Sequence, residues 1–153
     1  MIRVSTNREP VTVSLRAPFH GVEITLKRLT SADFAEARQA ADALIRDDAR
    51  LMVLMAEHEL LPGQNSPKAW KRLKDQDPAR YAATLTGIGV WVAAVECGLR
   101  GIEGWTGIMG DDDRPAPVNR TVLEVLMLDE AFSQQVMAQL DQAARILVVE
   151  GKP

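Results

Sequence analysis

Cysteine is almost missing from this chain. One residue, Cys97, stands among 153 positions. No intramolecular disulfide can form, and a zinc cage built on several cysteines is excluded. A chain so poor in cysteine is consistent with a reducing compartment. Aromatic side chains make up only 5%, too few for a platform that stacks single-stranded bases. An excess of either charge is also lacking. Lys and Arg number 18, Asp and Glu 21, and the net charge is -3. The basic footprint of a nucleic-acid-binding domain is therefore absent, as is an acidic tail. Residues 1–10 hold Arg3, Asn7, Arg8 and Glu9 and no apolar run, which does not read as a secretory signal.

What is present describes an ordinary globular chain. Hydrophobic residues make up 46% and charged residues 25%, and the length suits one domain over residues 1–153. Residues 1–9 read as a flexible N-terminus. Alternating apolar residues in Val11-Thr-Val-Ser-Leu-Arg16 and, through Val22, Ile24 and Leu26, in Val22-Glu-Ile-Thr-Leu-Lys-Arg-Leu29 predict two strands. Pro18, His20 and Gly21 supply turn material between them, so residues 10–29 read as a hairpin.

Residues 30–100 read as a helical core. Thr30 and Asp33 have capping-box spacing, and apolar residues at Phe34, Ala37, Ala41, Leu44 and Ile45 follow with helical period. The pattern continues to about Leu61, with a break foreseen near Asp47 and Asp48. Leu51-Met-Val-Leu-Met55 is apolar all round and is expected to be buried on most sides. Ser66-Pro67 and Asp77-Pro78 are two further starts, each a cap followed by proline at the first helical position. From Tyr81 to Cys97 the only charged residue is Glu96. That length approaches a membrane span of about 20 residues. With no second span and no strongly basic flank, it reads instead as a central helix enclosed by its neighbours.

Residues 101–119 carry glycines at 101, 104, 107 and 110, then Asp111 to Asp113, Pro115 and Pro117. They read as a long connection, of the kind that tends to be functional or mobile. Residues 120–150 read as C-terminal helices. Asn119 or Thr121 caps the first, and Asp129 caps a last helix from Glu130 to Val149, striped by Phe132, Val136 and Leu140. The end, Gly151 to Pro153, reads as frayed.

Candidate chemistry is thin. Glu57-His58-Glu59 sets carboxylates beside a histidine, but neighbours on a helix point apart, and the His-Glu-x-x-His spacing of helical zinc sites is missing. The segment reads as a solvated helix end. Cys97 reads as a small core residue, and Asp111 to Asp113 as a solvated acidic turn that does not match a calcium loop. Trp105, in the glycine-rich connection, is either a plug for the core or an anchor for a partner.

One resemblance carries the functional expectation. The hairpin and Ile24-Thr-Leu-Lys-Arg-Leu-Thr-Ser-Ala-Asp-Phe34 are followed by a helical middle and Ile102-Glu-Gly-Trp-Thr-Gly107. A proline-containing acidic loop, Val122-Leu-Glu-Val-Leu126 and Phe132 complete the order. This order resembles the tail assembly chaperones and small accessory proteins of tailed phages and phage-like gene transfer particles. The resemblance implies a non-enzymatic protein without cofactor or metal, acting in the bacterial cytoplasm or associated with the virion. It implies binding to the tape-measure or tail-tube protein, with self-association as a further possibility and no nucleic-acid or membrane partner. Met52, Met55, Met109, Met127 and Met137 would supply adaptable apolar surface. A minor structural subunit of the tail is the alternative. A third reading, a small enzyme built on His58, Glu57 and Asp111 to Asp113, lacks a convergent acid–base pair. The expected fold is mainly α, a helical bundle with an N-terminal β-hairpin. The residues expected to meet a partner are Trp105, Ile108, Met109, Phe132 and Met137.

Overall fold

The structure is a computed structural model that describes residues 1–145 and 147–149. It is mainly α with a small antiparallel sheet, 59% helical among the described residues. The order is β1 (Ile2–Val4), β2 (Val11–Ser14), β3 (Glu23–Leu26), α1 (Ser31–Arg46), α2 (Asp48–Glu57), α3 (Pro62–Asn65), α4 (Pro67–Gln76), α5 (Pro78–Gly101), β4 (Ile102–Thr106), α6 (Arg120–Leu126), α7 (Glu130–Ala144) and β5 (Leu147–Val149).

Local chemistry sets the helix starts. Thr30 and Asp33 make a complete capping box: the Thr30 hydroxyl accepts from the Asp33 N–H, and the Asp33 carboxylate accepts from the Thr30 N–H at 2.7 Å. These hydrogen bonds hold the Asp33 carboxyl below its usual range. The break foreseen near Asp47 is real. The Asp47 N–H closes α1 onto the Leu44 carbonyl, and its side chain opens α2 by accepting from the Arg50 N–H. Ser66, Asp77, Asn119 and Asp129 cap α4, α5, α6 and α7 in the same way.

The hairpin is only part of a sheet. β3 is the middle strand, paired antiparallel with β2 (Val13 opposite Ile24) and with β4 (Ile24 opposite Trp105). The glycine-rich segment expected to be a long connection thus begins as a strand. Beyond it, Met109 and Pro115 form a bridge around a tight turn in which the Gly110 N–H donates to the Arg114 carbonyl at 2.8 Å. Two glycines are required here for close approach. A side chain at Gly101 would collide with Leu140 and Leu29, and Gly107 sits at φ 82 with its Cα against the Gly21 backbone.

The N-terminus and the last helix also depart from expectation. Ile2–Val4 pairs with Leu147–Val149, so residues 1–9 are not wholly without regular structure. α7 stops at Ala144 and Arg145 turns extended, because the β-branched run that follows suits a strand better than a helix. The frayed end expected at residues 151–153 lies outside the described residues.

α5 is the axis of the fold. It packs along α1 and also touches α4, α6 and α7. It is the one helix among the described residues long and apolar enough to cross a membrane. Its second half is enclosed except at Val90, which is 68% exposed: Ile88, Trp91, Val92, Ala94, Val95 and Cys97 are buried. The first half is not, and Ala82, Ala83 and Thr86 are exposed. The core joins this half of α5 to Ile24 and Leu26 of the sheet, Leu51 and Met55 of α2, Leu123 of α6, and Phe132, Val136 and Leu140 of α7. Each fully buried Leu or Ile contributes about 2 kcal/mol by leaving water.

Candidate functional site

The expected partner residues do not form one surface. Phe132 is corrected to a core residue: it is 2% exposed and meets Phe19 edge-on, with ring centroids 5.5 Å apart. Its position on the inner stripe of α7 leaves nothing for a partner to touch. Trp105 is half-buried, and its indole N–H donates to the Ala116 carbonyl at 2.8 Å. It holds the returning arm of the 108–116 turn against β4, which favours the plug over the anchor. Ile108 and Met137 are half-buried, and Met109 is exposed. Of the five methionines expected to offer surface, Met55 and Met127 are buried.

A broader concavity among the described residues lies elsewhere, between α1, α2 and α6, with Glu96 of α5 in its lining. It is an open groove of about 640 Å³. Ala40, Ala43 and Leu44 come from α1, and Ala49, Val53 and Leu54 from α2. Alanines keep both walls low, because a methyl group fills so little of the space between two helices. Val53 was expected to be enclosed with the rest of the Leu51–Met55 run. It is 61% exposed, because α2 buries Leu51, Leu54 and Met55 and turns Val53 outward. Arg50, Glu57, Glu96, Arg120 and Glu124 give the groove its charge.

Two ionic clusters stand in this groove. The first explains the lone charge in the apolar helix. Glu96 is 7% exposed and both of its oxygens are occupied. Oε2 accepts from Arg100 at 2.6 Å and Oε1 accepts from Arg120 at 2.7 Å. Burial pushes this carboxyl up, but the hydrogen bonds from Arg100 and Arg120 outweigh it and hold the group below its ordinary range. Arg100 also reaches Glu36 of α1 at 3.3 Å. The cluster therefore ties α5 to α1 and to the first turn of α6.

The second cluster corrects the reading of Glu57-His58-Glu59 at one residue: the helix ends here and Glu57 and Glu59 are exposed as expected, but His58 is not solvated. His58 is the residue on which α2 closes, with φ -102 and ψ 12. There the chain leaves helical geometry. Its ring packs edge-on against Trp91, with centroids 5.1 Å apart. The Glu124 carboxylate accepts from His58 Nε2 at 2.8 Å, with both side chains only 11% and 12% exposed. Trp91 Nε1 donates in turn to the Glu124 carbonyl at 3.0 Å. One donor atom each from Glu57, His58 and Glu124 falls within 4.8 Å of the other two. A convergent acid–base pair does exist, then, but Asp111 to Asp113 are not among the residues that form it.

Glu124 lies 66 positions from His58, and no local spacing announces it. Glu96 did carry a signal: a single carboxylate in the otherwise uncharged stretch Tyr81 to Cys97 requires a cation or a hydrogen-bond partner, and Arg100 stands one helical turn on. Cys97 behaves as expected of a core residue. It is 3% exposed and burial pushes its thiol up, the opposite of what a nucleophile needs. Comparison of the chain with known protein families, with curated proteins and with solved structures finds no match.

Proposed function

We propose that this chain is a non-catalytic binding protein of phage tail assembly. In this reading it is a chaperone that holds an apolar helical segment of the tape-measure or tail-tube protein until the tail is built. The observation that carries the reading is the groove between α1, α2 and α6, open along its length, with alanine walls and an exposed Val53. A groove of this kind suits an amphipathic helix laid in with its apolar face down. Arg50 and Glu57 at its borders would orient the guest by charge. The resemblance in sequence order supplies the identity of that guest, and the host cytoplasm is where such an encounter would take place.

The alternative, a minor structural subunit of the tail, rests on a different feature. β2 and β4 are the two edges of the three-stranded sheet, and either could extend a neighbour's sheet. Co-expression with tape-measure and tail-tube proteins, followed by size-exclusion chromatography with light scattering, separates the two. A mixed complex that is lost in Val53→Lys and kept in Met109→Ser supports the chaperone. A ring of this chain alone supports the subunit. If the chain stays monomeric and captures neither protein, both readings fail.

A further inference from the structure

We propose that Glu57, His58 and Glu124 form a binding site for a divalent transition-metal ion of the zinc class. The inference goes beyond the reading of the groove as a helix-binding surface and does not depend on it.

The donor set is one imidazole and two carboxylates, drawn from the end of α2 and from α6. Mixed nitrogen and oxygen ligation favours zinc-like cations over magnesium or calcium, which take oxygen alone. The three donor atoms lie within 4.8 Å of one another. Around tetrahedral zinc, with bonds of about 2.0–2.2 Å, ligand atoms sit about 3.3 Å apart. Two members are already close, at 2.8 Å between His58 Nε2 and Glu124 Oε2. A cation entering there would take the place of the hydrogen that bridges them, and the pair would open by about half an ångström. Glu57 is exposed, so its side chain is free to swing the remaining distance.

The surroundings hold the site in position. The His58 ring is braced edge-on by Trp91, and the same indole anchors the Glu124 carbonyl. A metal-binding histidine and carboxylate gain affinity from such support. Charge separates this cluster from its neighbour. Both Glu96 oxygens are taken by guanidiniums, whereas here two carboxylates face one imidazole. Glu57 and Glu124 both line the groove, so a bound ion would have open coordination positions on that side for water or a carboxylate.

The ion takes the Nε2 lone pair while the ring hydrogen moves to Nδ1, so the imidazole stays neutral and its bridge to Glu124 is exchanged for two bonds to the ion. The test is isothermal titration calorimetry of the full chain with Zn²⁺ alone. The expected result is one ion per chain. Affinity should fall about tenfold or more in Glu57→Gln and in His58→Gln. Glu57 is exposed, so its substitution reads binding with little folding penalty. No saturable binding, or an affinity left unchanged by either substitution, overturns the proposal.

Discussion

Two carboxylate clusters share one groove and differ in how fully their buried carboxylate is paired. Around Glu96, two guanidiniums meet the buried carboxylate, and one of them also reaches the exposed Glu36. Around His58, two carboxylates meet a single imidazole. The first is saturated: each oxygen has a short charge-assisted partner, and the buried acid stays ionised because of them. Its role is to join α1, α5 and α6. The second has acceptors in excess, and one of its members stands in solvent. The difference teaches that burial and proximity do not by themselves make a site. The balance of donors and acceptors decides whether a cluster is closed on itself or has capacity left for something else.

Breaking the saturated cluster should have the largest effect on stability. Glu96→Ala removes both charge-assisted bonds and is expected to lower the unfolding free energy by about 2–3 kcal/mol, measured by urea titration. The sign of its pH dependence follows from its depressed folded pKa. The contribution of Glu96 is complete above the ordinary unfolded value of 4.5. It is lost as pH falls through the lower folded value. Glu96→Gln should therefore flatten that part of the acid limb, and an unchanged limb would place the acid sensitivity elsewhere. Arg120 is 51% exposed, so water can replace part of what Arg120→Ala removes, and about 1 kcal/mol is expected. Glu57→Gln is the smallest, within about 0.5 kcal/mol. The two clusters are sharply distinguished if the variant that costs least in stability is the one that weakens cation binding.

How much of this was readable in advance depends on distance along the chain. Thr30 with Asp33, Ser66-Pro67, Asp77-Pro78 and Asp129 marked their helices correctly because a cap is made within four residues. β2 and β3 were visible through strict alternation. β4 was not: Gly101, Gly104 and Gly107 give it the composition of a loop, and only the partners, Leu140 and Gly21, explain two of those glycines. The end of α7 was misplaced because Leu147 to Val149 continues an apolar stripe, while its strand partner, Ile2–Val4, lies at the other end of the chain. The groove suffered most. Val53 turned outward because α2 buries Leu51, Leu54 and Met55 on its other face, and His58 found Glu124 across a separation that no motif spans. Trp105 shows the intermediate case: its residue type suggested an anchor, and a hydrogen bond to Ala116 gave it internal work instead.

The absence of any residue between α5 and β4 has a mechanical consequence. Gly101 ends the helix, Ile102 begins the strand, and the Gly101 carbonyl accepts from Lys27 at the end of β3, 2.7 Å away. The enclosed half of α5 is thereby welded to the sheet, and neither can swing without the other. Compliance must reside at the breaks, at Asp47 between α1 and α2 and at Gly63 before α4, where φ is positive. Amide hydrogen exchange should then show Ile88 to Thr106 opening as one slow cooperative unit, with the exposed first turns of α5 exchanging ahead of it. A lever of this form would carry a push on the free half of α5 directly into the sheet, leaving the groove walls to flex at Asp47.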